Sequence, residues 1–403
     1  MKLSKLSRTI LVSSAGLVLA TLLTSCEIET IDYLFVANSA GTGSSTSGEI
    51  QTFDIDSESG AIRNGPSPVS SGGNNPVAIA ITADYANLYV VNQASNNVVH
   101  FSIAASGVLT QKDMVTTGPG PTSISVNTAQ TYLYVVSGPN PAMLTAYSLS
   151  GGTIGSIAAQ ETLSIPGYAG DTLAPTGVTV LPNNNAVFVT AYDQSAYNPG
   201  GTTTSIANPG WVFGYTVGTG GALTSSTGSP WKAGVKPVAL AADPTNRFVY
   251  VTDFASNQMI GYTIQSGSLL DYMINGPFSA GSEPNSLVVD PRGLYIYASD
   301  ELSNQVTAFN ISLATGTPTA TINTTGSQTN STDTEPVSIV VDAALGRFVY
   351  TANYLGNSVS GFRLNPVTGA LIPTQASPYP TGAKPSAVAT VPHGNHAIET
   401  VTP

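Results

Sequence analysis

The sequence predicts an all-β fold, a seven-bladed β-propeller of four-stranded antiparallel blades closed by pairing of its N- and C-terminal strands. Three observations carry this. A three-strand pattern recurs seven times along the 403 residues. The repeats lie 45 to 62 residues apart, the spacing of propeller blades. Only 9% of residues are charged while 40 are Gly and 27 Pro, a composition of short strands and turns. No sustained helical period follows residue 25.

The first strand of each repeat opens on proline: PVAIAIT (76–82), PTSISV (121–126), PTGVTVL (175–181), PVALAAD (237–243), PNSLVVD (284–290), PVSIVVD (336–342) and PSAVATV (385–391). The next is an apolar run ending in a polar turn: YLFVAN (33–38), LYVVN (88–92), YLYVVS (132–137), AVFVTA (186–191), RFVYVTD (247–253), LYIYASD (294–300) and RFVYTAN (347–353). A third ends in an aromatic and a branched residue: QTFDI, VHFSI, TAYSL, FGYTV, IGYTI, TAFNI and SGFRL. Segments such as GVLTQKDMV and GALIPTQASP supply a weaker fourth strand. Runs such as FVYV are apolar on both faces, where half-buried strands would alternate. Blades packed on both sides by neighbours require this. A sandwich has no reason for sevenfold self-similarity, and a parallel β-helix has far shorter repeats.

The ends complete the ring. The N-terminal repeat lacks its Pro-led strand and starts at YLFVAN, while the C-terminus supplies a spare one, PSAVATV. Residues 385–391 are therefore expected beside 33–38, which removes free edges. The tail HGNHAIETVTP is read as a frayed extension.

Residues 1–25 differ in kind. Lys2, Lys5 and Arg8 precede an apolar stretch, residues 10–23, too short for a comfortable membrane span. It ends in LTSC, with Cys26 the only cysteine. That resembles a bacterial lipobox, in which the cysteine is lipidated. The alternative is an ordinary secretory signal with a chance cysteine. The expected organisation is a lipoprotein signal peptide (1–25), a short tether (26–31) and one propeller domain (32–403). The expected location is the cell envelope, outside the cytoplasm, with a lipid anchor in the membrane. A monomer is expected. With Cys26 modified no disulfide can form, so burial must hold the fold. Removing 1–25 leaves nine basic against 23 acidic residues, and no basic patch points to nucleic acid.

The segments DPTNRFVYVTD (243–253), DPRGLYIYASD (290–300) and DAALGRFVYTAN (342–353), with their paired NQ…GYTI, NQ…AFNI and NS…GFRL runs, resemble the YVTN-repeat, lactonase-like seven-bladed propellers. That family includes the 6-phosphogluconolactonase and cycloisomerase type. The resemblance covers residues 30–392 and implies the fold. It also implies a lactonase that hydrolyses a sugar-acid lactone, with His, Arg and Glu around the central channel. Here Arg247, Arg292 and Arg347 belong to a strand-connecting turn, Arg63 to an outer strand and Arg363 to the aromatic strand.

Propellers bind ligands at one face of the ring. Here that face collects the residues before the prolines (Asn75, Gly120, Ala174, Lys236, Glu283, Glu335, Lys384) and those ending the second strand (Asn38, Asn92, Ser137, Ala191, Asp253, Asp300, Asn353). The Asx residues have two readings. Each side chain can bond the backbone of its own turn. Alternatively, Asn38, Asn92, Asp253, Asp300 and Asn353 form an oxygen ring for Ca2+ or a polar ligand. The first reading is preferred. If there is hydrolysis, Asp253, Asp300 or Glu283 is the candidate base and Lys236 the cationic donor. Otherwise these are solvated loop charges.

Between FVTA (188–191) and WVFGYTV (211–217) lie 19 residues, where other repeats use only a few. Tyr192, Asp193, Tyr197 and Trp211 there suit a carbohydrate or protein ligand, unless the insertion is merely mobile. His100 falls in an aromatic-ending strand. His393 and His396 lack a third ligand and make no metal site. No HExxH, GxSxG or Walker motif is present. Two functions therefore stand: first a membrane-anchored ligand- or protein-binding surface module, second a lactonase acting at the channel mouth. The expected absence of an Arg/His cluster there sets that order.

Overall fold

The computed structural model describes residues 29–40, 47–167, 172–196, 209–320 and 327–394. Its strands form seven antiparallel sheets, each a blade. Blades are numbered here by the chain order of their second strands. Those are Thr30–Ala40, Asn87–Asn92, Tyr132–Ser137, Ala186–Asp193, Phe248–Asp253, Tyr295–Asp300 and Phe348–Asn353. The innermost strands of blades two to seven are Pro76–Ile81, Pro121–Val126, Leu173–Val180, Pro237–Ala242, Pro284–Val289 and Pro336–Val341. Blade one takes its innermost strand, Ala383–Pro392, from the other end of the chain. Tyr33 lies opposite Val391, Phe35 opposite Ala389 and Asn38 opposite Pro385, the closure expected from the sequence. The first strand begins at Thr30, so it takes up the end of the stretch read as tether.

The outer strand is broken in five blades. After three residues it bends away, and a short second piece returns to the third strand. These pieces are Val69–Ser70, Trp231–Lys232, Phe278–Ser279, Thr329–Ser331 and Tyr379–Pro380. That is why the fourth strand reads weakly in the sequence.

The core is divided among the interfaces between blades. The second strands are sealed on both faces; every residue of Phe248–Asp253 is buried. Seven apolar clusters, one per interface, fill the ring. The cluster joining blade seven to blade one contains Leu34, Val36, Phe348 and Tyr350, so the closing seam is packed like the others.

A repeated polar latch crosses these interfaces. Tyr89, Tyr250, Tyr297 and Tyr350 each donate a phenolic O–H to a glycine carbonyl in the next blade: Gly152, Gly316, Gly369 and Gly60, at 2.5, 2.7, 2.8 and 2.7 Å. A tyrosine in the middle of the second strand thus buries its ring and satisfies its hydroxyl together. Burial raises the pKa of all four phenols.

Candidate functional site

Each of the seven innermost strands carries a one-residue register shift just after its proline. The extra residues are Val77, Thr122, Thr176, Val238, Asn285, Val337 and Ser386. A bulge re-aims the extra side chain. Here it aims at the ring axis, because all seven line a cavity of about 270 Å³. That is at the small end of ligand pockets, which run about 300–1,000 Å³. Its walls are otherwise Val, Ala, Ser, Ile, Leu and Gly. Three of the wall hydroxyls are spent between blades. Thr122 donates to the Pro175 carbonyl, Thr176 to that of Pro237 and Ser386 to that of Pro76.

Asn285 is the exception among the seven. Its amide donates outward to a carboxylate oxygen of Glu301, the first residue after the second strand of blade six. Glu301 is half-buried. Burial raises its pKa first of all, and the nearby Glu335 and Glu283 charges add to this. The Asn285 hydrogen bond and the Lys236 charge pull the other way. Lys236, Glu283 and Glu335 stand two residues before bulge residues that line the cavity, and Glu301 is bonded to one of them, so the four gather at this end of the cavity. The Lys236 ammonium lies 4.2 Å from the Phe254 ring centroid and 5.9 Å from that of Tyr192. Lys384 lies 5.6 Å from the Tyr354 ring.

The Asx residues ending the second strands are fully buried in their turns. Val235 and Lys236 donate backbone N–H to Asp253 at 3.0 and 2.8 Å, and Gln258 adds its amide at 2.9 Å. Gly281 N–H and the Thr307 hydroxyl donate to Asp300 at 3.1 and 2.5 Å. Burial still drives the Asp300 pKa up to about 7. Asn92 is held by Ser71 and Asn97, Asn353 by Thr351, Ser358 and Ser360, and Asn38 by Glu49. Asp253, Asp300 and Asn92 thereby anchor the loop that leads into the innermost strand, while Asn38 and Asn353 bond the third strand of their blade. Among the described residues no three His, Cys, Asp or Glu are grouped to hold a metal ion.

The long connection contributes Tyr192 to the mouth, beside Lys236. Asp193 is buried and accepts from Thr172 and Ser195 of its own turn. Trp211 packs at the edge of the core between blades three and four, with Lys232 3.6 Å from its ring. Tyr197, with residues 198–208, lies outside the described residues, as do Cys26 and His396.

Among the described residues no arginine lines the cavity. Arg292 is buried against Asp290 at 2.7 Å, in the turn at the far end of its strands. Arg247 is held by Thr245 and the Leu313 carbonyl at the same end of blade five. His100 lies inside blade two between Asp113 and Asn87, at 2.8 and 2.9 Å, stacked on Tyr89. The sequence reading missed Glu301, although it follows directly on the candidate Asp300. Its one signal was a carboxylate where other blades carry Ser39, Gln93, Gly138, Tyr192, Phe254 or Tyr354.

A closed ring of seven blades, with a cavity on its axis and titratable groups at one end of it, defines the class: a seven-bladed propeller. The lactonase, seven-bladed β-propeller family model matches residues 29–126 and 104–398, and the chain belongs to that family. Among curated proteins no sequence match was found. Solved structures share the fold at low identity. A periplasmic gluconolactonase of Pseudomonas aeruginosa is 19% identical, covering 90% of this chain and 99% of its own, with a TM-score of 0.72. A protein of Bacteroides uniformis described as a putative 6-phosphogluconolactonase is 18% identical over 90% of this chain and all of its own, also at 0.72. Another so described, from Bacteroides fragilis, is 18% identical over 91% and 99%, at 0.69.

Proposed function

We propose that the chain hydrolyses a small lactone at the polar mouth of its channel. The observation that carries this is the Asn285–Glu301 pair, a half-buried carboxylate of raised pKa tied to the cavity wall beside a lysine. Such a carboxylate suits a general base. Glu301 takes a proton from water as the water oxygen bonds to the lactone carbonyl carbon. The Lys236 ammonium steadies the oxyanion that forms. The ring C–O bond then breaks, and the ring oxygen recovers the proton from Glu301. One water is consumed and a hydroxy acid leaves. Family membership supports this reading, as does the likeness to a protein described as a periplasmic gluconolactonase. The location belongs to the same proposal: outside the cytoplasm, held to the membrane by a lipid on Cys26.

The test is hydrolysis of an aldonolactone followed by proton release, with Glu301→Gln beside the parent chain. Turnover that survives in Glu301→Gln overturns the assignment of the base. A second reading, a binding module for a carbohydrate or protein, draws on the cavity wall, which carries no His, Arg or carboxylate among its described residues. Calorimetric binding of a polyol without any turnover of lactones would favour it.

A further inference from the structure

We infer that the site selects uncharged lactones against phosphorylated ones. This rests on the hydrolase reading above and narrows it to a substrate class. Three observations carry it. First, the residues before the prolines together with Glu301 bring three carboxylates to the mouth, Glu283, Glu301 and Glu335, against two ammonium groups, Lys236 and Lys384. A phosphate dianion entering there meets more repulsion than attraction. Second, among the described residues no arginine lines the cavity to take a phosphate in a bidentate grip. Arg292 and Arg247 are committed in the turns at the opposite end of the blades. Third, the deeper wall on the side of blades six, seven, one and two offers no cation: it is Ile79, Ile81, Val288 and Val340 with Thr390, and Tyr85 and Pro291 lie at the far end. A neutral polyol meets no such penalty, since Ser123, Ser286 and Ser338 line the cavity and the mouth carboxylates can accept from its hydroxyls.

The experiment compares kcat/KM for an unphosphorylated aldonolactone and its 6-phosphorylated counterpart on the purified protein. The neutral substrate is expected to be favoured by about tenfold or more at low salt, as a few unscreened charges at close range produce. High salt should shrink that ratio, because exposed charges are screened beyond about 8–10 Å. The double substitution Glu283→Gln/Glu335→Gln should move the ratio toward the phosphorylated lactone, by about the same factor. A merely structural effect of these substitutions would leave the salt dependence of the ratio intact. Equal or faster turnover of the phosphorylated lactone overturns the inference and leaves the hydrolase reading standing. So does a ratio that ignores both salt and the double substitution. Turnover of neither lactone overturns the hydrolase reading and the inference together.

Discussion

Asn285 on the channel wall donates its side-chain amide to Glu301 at the mouth, so the one bulge residue with an amide holds the carboxylate that stands over the cavity. Because this bond stabilises the charged form, it works against the burial that raises the Glu301 pKa.

The pair makes a prediction about the acid limb of activity. Glu301 must be ionised to act as a base, so kcat/KM should rise with pH through a pKa above the ordinary glutamate range. Asn285→Leu removes the hydrogen bond and should move that limb to higher pH while leaving the plateau within a few-fold. Glu301→Gln should cost about 10²-fold or more in kcat. Thermal melts should show both variants folded. A limb that stays in place in Asn285→Leu would mean another group titrates.

The fold was legible because propeller strands repeat. The proline of each innermost strand, the doubly buried second strand and the spare C-terminal strand are written seven times, and redundancy averages out local ambiguity. The site was less legible for the opposite reason. Position 301 is a carboxylate in this blade alone, and its meaning comes from Asn285, sixteen residues away, after a bulge turns that side chain inward. The Asx residues were more legible: bonding to their own turns is the preferred reading over a ring of oxygen ligands, and the loop N–H groups of Val235, Lys236 and Gly281 do bond Asp253 and Asp300. A buried carboxylate accepts from the donors nearest in the chain before it can serve a distant ligand.

The tyrosine latches predict a contrast within one residue type. Tyr350→Phe removes the donor to the Gly60 carbonyl and should cost about 1–2 kcal/mol in urea unfolding. Tyr134 holds the equivalent place in blade three, but its buried hydroxyl finds no hydrogen-bond partner. Tyr134→Phe should therefore be neutral or slightly stabilising, because it removes a polar atom that burial penalises. Equal losses in the two variants would show that the bond to the Gly60 carbonyl is not what distinguishes the two hydroxyls.

Asp300 predicts a pH dependence of stability. Burial lifts its folded pKa to about 7, above the ordinary 3.8, so between those values the folded chain holds a proton that the unfolded chain has lost. The stabilisation is complete below pH ~4 and disappears as pH rises through ~7. Asp300→Asn should flatten this fall, measured as unfolding free energy across that window. The substitution is sterically conservative, since Asn38, Asn92 and Asn353 occupy the same place in other blades. Part of the slope should persist, because burial and the neighbouring Asp342 raise the pKa of Asp32 in the same direction. An unchanged slope in Asp300→Asn would assign the whole dependence elsewhere.

The closing seam can be tested at Gly60. Its φ of +68° lies in the left-handed region, and a Cβ there would stand 2.2 Å from the Phe348 ring of blade seven. Gly60→Ala thus combines a strained backbone with a clash against a ring that is itself buried. The expected cost is about 2–4 kcal/mol, the range of overpacked core substitutions together with an incompatible glycine replacement. The damage should be local. The Tyr350 hydroxyl bonds the carbonyl of the same glycine, so both contacts across the seam loosen together. Amide hydrogen exchange should accelerate in Thr30–Ala40 and Ala383–Pro392 before it does in blades three to five. Gly151→Ala provides the control, since its φ is +55° but nothing lies within 4 Å of a Cβ there. That variant carries the backbone strain without the clash. If Gly60→Ala destabilises no more than Gly151→Ala, the packing of Phe348 against the turn contributes nothing to ring closure.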